Sequence, residues 1–413
     1  MLSQEDNDLL TRVGPGTPMG SLMRRYWIPA VFSDRIEKPD CPPVRVRLLG
    51  ESLVAFRDSL GRVGLVAESC PHRTASMFYG RNEECGLRCV YHGWKFDVNG
   101  VCVDLPSEPP GSTLQRKVSI KAYPCLERGG IVWTYMGPAE LKPEFPELEW
   151  TMVPASHRHA TRHIQECNWL QAFEGGFDTS HLSFLHTGTV ETIMTTVPSR
   201  YEVVPTDFGF VCGTGRDIPG AGDGDISWTA NVMLMPFHKI IATKPMGAHV
   251  WVPVDDNHTM LYSVDYNADR PLSDEDLRMS REYHGIHTEN LPGSDVAIAN
   301  KSNEYQIDRL LQASGKSYTG MRGLGIQDCA IQESMGYIAD RTIEHLGVSD
   351  TAIIKIRLLL LQSLKDHAEG KTPPGLSPAS YRVRSSRFKA PAAMPFASTM
   401  EAHVRMNQPQ AAE

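Results

Sequence analysis

Two short arms constrain this chain more than anything else in it. Cys70-Pro71-His72 is followed, after sixteen intervening residues, by Cys89-Val90-Tyr91-His92. Each arm carries one thiol and one imidazole. Four such groups meet at one centre only if both arms are loop tips held side by side. Gly80 and Gly86 lie between them and suit a loop and hairpin better than a helix. The second arm runs on as His92-Gly93-Trp94-Lys95-Phe96-Asp97, and Asn99-Gly100 then reads as a hairpin turn. Alternation in Val44-Arg45-Val46-Arg47-Leu48-Leu49, the apolar Leu53-Val54-Ala55-Phe56 and the run Ile131 to Met136 add strands around the arms. The expectation is a small all-β domain built about a metal centre.

Two thiolates and two imidazoles are the ligand field of a Rieske [2Fe–2S] cluster, with two Cys on one iron and two His on the other. Tetrahedral zinc accepts the same four donors. Zinc fingers, however, usually put Cys in one arm and His in the other, and here each arm is mixed. The spacing favours Cys70, His72, Cys89 and His92 as cluster ligands. Such a cluster only carries electrons, so another part of the chain must use them.

The 413 residues have room for two domains with a sizeable core. A formal charge of −8 does not favour nucleic acid or an anionic membrane as partner. The acidic start, Met1 to Asp8, has no apolar stretch of the secretory kind, and the longest apolar run, near Leu358 to Leu361, is far too short to span a membrane. Nine Cys form no disulfide framework, so a reduced, cytoplasmic protein is expected. The boundaries read as an N-terminal helical segment over 1–39, the cluster domain over 40–149, a catalytic domain over 150–369, and a Pro-, Ser- and Ala-rich tail over 370–413 that wraps a neighbour or is partly disordered. In the third segment, strand-like runs lie between Tyr201 and Tyr266, and Thr351–Lys365 is an amphipathic helix.

The acceptor of the electrons is sought in Asn168 to His186. Its core is Asp178-x-x-His181-x-x-x-x-His186. Two His and one carboxylate on one face of a metal leave positions open, as in the facial triad of non-haem Fe(II) oxygenases. The segment reads as a helix interrupted at Gly175-Gly176. Asp178 and His181 then share a face. His181 and His186 stand about 140° apart on an ideal helix, so both reach one ion only if the helix bends or ends near Ser183.

With these motifs the chain resembles the oxygenase α subunit of Rieske non-haem iron aromatic ring-hydroxylating oxygenases, in the phthalate dioxygenase-like group. Asn7 to Arg25, Asn168-Trp169-Leu170-Gln171, Asp178 to His186, and Gln327-Asp328 through Ser349-Asp350 carry the likeness, over roughly residues 1–365. The resemblance implies an α+β architecture, with the small all-β domain joined to a catalytic domain of antiparallel sheet flanked by helices. It implies that His181 and His186 bind a mononuclear Fe(II). Asp178 would then bridge His181 to a cluster His of an adjacent subunit, His92 or else His72. The third ligand comes from the C-terminal part, and Asp328 is chosen over Asp340, Asp350 and Glu333. Some relatives carry an Asn one helical turn before the bridging Asp; Gly175 stands there in this chain.

The activity implied is that of a terminal oxygenase. It would take electrons from an NAD(P)H-dependent reductase, with or without a separate ferredoxin, in a homotrimer or stacked trimers. The substrate would be a small aromatic molecule, dihydroxylated or monooxygenated with O- or N-dealkylation. The chain has no Gly-rich dinucleotide fingerprint of its own. Arg200 and Arg216 are candidates to clamp a substrate carboxylate, although the plainer reading of each is a solvated strand-edge residue. The uncharged stretch Asn231 to Phe237 suits an apolar guest. Loops over 187–198 and 217–225 are candidate gates. The competing reading is an electron-transfer Rieske protein without oxygenase chemistry.

Overall fold

A computed structural model describes residues 2–187, 197–218 and 224–406. The two candidate gates lie mostly outside these residues. The chain forms two compact units, Val13–Pro143 and Met1–Arg12 with Glu144–Glu413.

The first unit is mostly antiparallel β, with one short helix, Pro18–Met23. Its strands are β1 (Trp27–Phe32), β2 (Val44–Leu48), β3 (Glu51–Arg57), β4 (Val63–Ala67), β5 (Arg81–Glu83), β6 (Gly86–Arg88), β7 (Lys95–Phe96), β8 (Cys102–Asp104), β9 (Ala122–Tyr123), β10 (Cys125–Arg128) and β11 (Ile131–Tyr135). They form three small sheets, in the orders β1-β11-β10, β2-β3-β4-β9 and β5-β6-β7-β8. The period-2 pattern explains β2: Val46 and Leu48 point inward while Arg45 and Arg47 point out. Val54, Phe56, Val66, Met77, Leu87, Trp94 and Phe96 pack into one core with Cys70 and Cys89. The two arms therefore rest on a rigid apolar base.

The second unit is built on one antiparallel sheet. Its strands are β12 (Arg158–Gln165), β13 (Arg200–Pro205), β14 (Gly209–Asp217), β15 (Asp225–Leu234), β16 (His238–Ile241), β17 (Met246–Pro253), β18 (Thr259–Tyr266) and β19 (Ser386–Pro391). The order is β12-β18-β17-β16-β15-β14-β13, and β19 also pairs with β15. The two faces differ in kind. One is apolar and is covered by the end of the chain. Phe396 of helix Phe396–Val404 stacks on Trp228 and Phe388, and Tyr381 donates to the Met235 carbonyl at 2.6 Å. The segment beyond residue 370 thus carries a sheet strand and a packed helix, because its aromatic residues have an apolar face to bury.

The other face carries polar groups and holds the helices Trp169–Phe177 and Leu324–Ser334. His163 and Gln165 of β12 reach Cys329 at 3.2 and 3.3 Å, and Gln165 donates to Gln332 at 2.8 Å. β12 has little apolar alternation to reveal it, since His159, Thr161, His163 and Gln165 all lie on this polar face.

The helix Trp169–Phe177 is capped by Asn168, which accepts from the Leu170 amide at 3.0 Å, and it runs unbroken to Phe177. The expected break at Gly175-Gly176 is absent. Those glycines serve close packing instead: a Cβ on Gly175 would meet the Gln332 amide at 2.4 Å, and one on Gly176 the Trp251 ring at 2.4 Å. Buried Glu174, on the same helix, accepts from Arg357 at 2.6 Å and from Arg341 at 3.0 Å. Burial opposes its charge, but Arg341 and Arg357 outweigh that and hold the carboxyl below its usual range. The N-terminal helix Gln4–Thr11 belongs to this unit, with Asn7 donating to the Ala339 carbonyl at 3.2 Å.

Candidate metal centres

The two cysteine arms are built alike. In the first, the Thr74 amide donates to the Cys70 carbonyl at 2.9 Å; in the second, the Gly93 amide donates to the Cys89 carbonyl at 3.0 Å. Each loop turns back through a left-handed residue, Thr74 or Gly93, and a Cβ on Gly93 would meet Pro106 at 2.6 Å. The cysteines are buried and the histidines half-buried. The His72 and His92 rings lie 4.4 Å apart, and His72 stacks on Trp94 at 4.4 Å. Burial pushes the Cys70 thiol up to about 11, with Cys89 beside it adding to the shift. The Nδ1 atoms of both histidines are buried and have no hydrogen-bond partner. Two orphaned ring nitrogens and two neighbouring thiols on the paired arms fit a group that takes all four.

In the second unit, the chain leaves the helix at Asp178 and makes a single 3-10 turn, His181–Ser183. That ending brings His181 and His186 together, with rings 4.8 Å apart. Asp328, on helix Leu324–Ser334, comes to the same point from far along the chain. One ligand atom from each of His181, His186 and Asp328 can be chosen so that all three lie within 4.8 Å of one another. Both imidazoles aim Nε2 at the carboxylate: His186 Nε2 is 3.2 Å and His181 Nε2 is 3.7 Å from Asp328 Oδ1. Burial opposes charge on Asp328, yet His186 and His181 keep its carboxyl below the usual range. The opposite ring nitrogens are also engaged. His181 Nδ1 lies 3.4 Å from Asp178 Oδ2, and His186 Nδ1 donates to Gln327 Oε1 at 2.7 Å. Gln327 is in turn held by donating to the Met321 carbonyl at 3.0 Å and to Thr319 at 3.2 Å. Sequence reasoning missed this role for Gln327, whose only signal was its place beside Asp328.

The competing acids are used elsewhere. Asp340 accepts from Thr342, Asp350 from the Gly347 amide, and Glu333 from Tyr305 and the Glu166 amide. Arg200 and Arg216 point to opposite faces of the sheet. Arg200 donates to the Ala392 carbonyl at 2.7 Å on the apolar side, and Arg216 is buried on the polar side. They cannot clamp one carboxylate together.

The family model described as the Rieske [2Fe-2S] domain matches residues 26–124, and the one described as LigXa C-terminal domain like matches 134–200 and 197–390. Over 431 aligned positions the chain is 37% identical to the 3-chlorobenzoate-3,4-dioxygenase oxygenase subunit of Comamonas testosteroni, covering 98% of this chain and 99% of that one. It belongs to the Rieske non-haem iron ring-hydroxylating oxygenases, as an oxygenase subunit. The phthalate 4,5-dioxygenase oxygenase subunit of Pseudomonas putida is likewise 37% identical, over 94% of this chain and 92% of its own. Among solved structures, Pseudomonas putida CBB5 NdmA with caffeine (QL mutant) superposes with a TM-score of 0.62 at 21% identity, over 86% of this chain and 94% of that one. Dicamba monooxygenase bound to 3,6-dichlorosalicylic acid gives 0.61 at 17%, over 84% and 98%. These two share the fold. As a Rieske oxygenase subunit the chain is an oxidoreductase of a multicomponent system, and its cofactors are a [2Fe–2S] cluster and a mononuclear non-haem iron. No helix among the described residues is long and apolar enough to cross a membrane.

Proposed function

We propose that Cys70, His72, Cys89 and His92 hold the [2Fe–2S] cluster, that His181, His186 and Asp328 hold the mononuclear iron, and that the enzyme oxygenates an aromatic substrate with electrons from an NAD(P)H-dependent reductase. The convergence of one carboxylate and two imidazoles within 4.8 Å carries this reading. An iron held by these three residues would supply the activation of dioxygen. The protein's part is positional. Gln327 accepts the Nδ1 proton of His186, which fixes the tautomer and leaves Nε2 free for a metal. Asp178 Oδ2, 3.4 Å from His181 Nδ1, stands where it would do the same for His181. Its own Oδ1 is anchored by the Ser180 amide at 2.8 Å. We assign Asp178 as the hydrogen-bonded bridge from His181 to a cluster histidine, His92, of an adjacent subunit in a trimer. The cluster would lie in the unit Val13–Pro143 and the iron in the unit that holds Glu144–Glu413. All nine cysteines are unpaired, which supports a cytoplasmic setting.

The test is turnover of a panel of aromatic acids, aryl ethers and amides by the purified protein with a reductase under labelled dioxygen. Label in a hydroxylated aromatic product, or release of the O- or N-alkyl group as an aldehyde, at a rate that depends on the reductase, is the expected result. Reduction of the cluster with neither outcome across the panel would favour the electron-carrier reading.

A further inference from the structure

The side-chain amide of Gln327 is engaged at both ends. Its Oε1 accepts from His186 Nδ1 at 2.7 Å, and its Nε2 donates to Thr319 Oγ1 at 3.2 Å and to the Met321 carbonyl at 3.0 Å. Which end faces which partner is decided by chemistry. A carbonyl oxygen only accepts, so the Met321 carbonyl requires the amide NH2 group beside it, and Oε1 is left for the imidazole. Thr319 reinforces that choice, because its hydroxyl oxygen also accepts from the Met321 amide at 3.1 Å and so fixes the two acceptors together. Thr319 and Gln327 are both buried. A reversed amide would set Oε1 against the Met321 carbonyl with no proton between them, which is costly away from water.

The orientation of this amide reaches the iron site. With Oε1 towards it, His186 keeps its proton on Nδ1 and presents the Nε2 lone pair, 3.2 Å from Asp328 Oδ1. With the amide reversed, Nδ1 would have to accept, and the proton would sit on Nε2, the nitrogen a metal needs.

Thr319 and Met321 stand at one end of a loop with few other ties. The Asp308 amide donates to the Gly320 carbonyl at 2.9 Å and closes its neck. A Cβ on Gly320 would meet the Asp308 carbonyl oxygen at 2.4 Å, so glycine is what lets the neck close. From Asp308 to Tyr318 no residue is buried, whereas Thr319 and Gly320 are. On the N-terminal side three successive residues, Glu304, Tyr305 and Gln306, are left-handed, with φ of 51°, 54° and 52°. Such a run is strained in residues other than glycine. The Tyr305 hydroxyl donates to Glu333 at 2.6 Å and ties this run to the helix that carries Gln327.

We propose that residues 308–321 form a conformational switch for the iron site and that Thr319 is its working contact. Seated, the loop locks Gln327 and thereby holds His186 in the metal-binding tautomer; lifted, it releases both. Thr319 is a positioning residue that acts through Gln327. The proposal rests on the assignment of His186 as an iron ligand. Coupling of this kind is reciprocal, so iron at the site must in turn favour the seated loop.

Chelator competition for the mononuclear Fe(II) of the anaerobic holoenzyme reads the first direction. Thr319→Val should weaken iron binding about fivefold, and Thr319→Ser should keep it within about twofold of the wild type. In a Gln327→Leu background Thr319→Val should add less than about twofold, because the transmitting amide is gone. An equal loss in both backgrounds would make Thr319 merely structural and overturn the proposal, as would no loss beside native Gln327. Amide hydrogen exchange reads the other direction and needs no Thr319 variant. Exchange over residues 308–321 should slow about fivefold when saturating Fe(II) is restored to protein depleted of its mononuclear iron, the same factor read from the loop side. That protection should vanish in Gln327→Leu. Loop exchange that is blind to iron, or protection that survives Gln327→Leu, overturns the switch. A wild type that binds no mononuclear iron sinks the ligand assignment itself, whereas normal iron binding with no response to Thr319 sinks the switch alone.

Discussion

The two proposed metal centres are assembled in opposite ways. The cluster arms are local: two loops, sixteen residues apart, each closed by its own backbone hydrogen bond and seated on hairpins of the same small unit. The iron site is long-range. It joins a helix exit at His181 and His186 to Asp328 on another helix, and Gln327 and Asp178 orient the two imidazoles from behind. A local site is held by turn chemistry. A long-range site depends on the packing of whole elements, so damage should spread differently in the two.

The largest expected effect comes from the long-range partner. Asp328→Ala removes one of the three proposed ligands, and turnover should fall about 10⁴-fold. The mononuclear iron should be lost while the cluster spectrum is kept. Retained iron would move the third ligand to another acid and end the comparison. Next comes the scaffold. Glu174→Gln leaves buried Arg341 without its counter-charge and Arg357 with Glu344 alone, and should cost about 3 kcal/mol of stability in the catalytic unit. Because the folded-state carboxyl lies below its usual range, its stabilisation is present above the unfolded Glu pKa and lost as pH falls through the folded value. The variant should therefore show a flatter acid limb in pH-dependent unfolding, with the cluster spectrum little changed at neutral pH. An equally steep acid limb would mean that the ion cluster is not what carries it.

Two smaller changes sharpen the contrast further. Asp178→Asn should leave both centres filled and lower turnover about 100-fold, read by iron analysis and product formation together. Full activity would reject the bridge. Gln327→Leu frees the Nδ1 side of His186 and should weaken iron binding about tenfold, measured by chelator competition, with the cluster untouched.

The same contrast explains what was legible. The cluster arms and the small-domain strands could be read directly, because spacing, Gly turns and period-2 alternation are local signals. His181 and His186 were visible as a motif, but the helix expected to run on to Ser183 ends at Phe177, and a separate 3-10 turn over His181–Ser183 brings the two imidazoles together. Asp328 came from resemblance, since no periodicity links it to residue 181. β12 went unread because its site-facing positions are polar, which hides a buried strand. Composition made the tail look open, but Tyr381, Phe388 and Phe396 bury there against the sheet. Gly175-Gly176 signalled a break by composition and turned out to be a contact surface for Gln332 and Trp251. Gln327 was silent because its meaning lies entirely in what it faces.

Iron and acid-labile sulfide analysis of anaerobically purified wild type and Asp328→Ala, with electron paramagnetic resonance of the reduced proteins, tests the central claim most directly. The account predicts about three irons and about two sulfides per chain in the wild type, and about two of each in the variant, with the same Rieske signal in both. Equal iron in the two proteins, or zinc without sulfide in either, would contradict it.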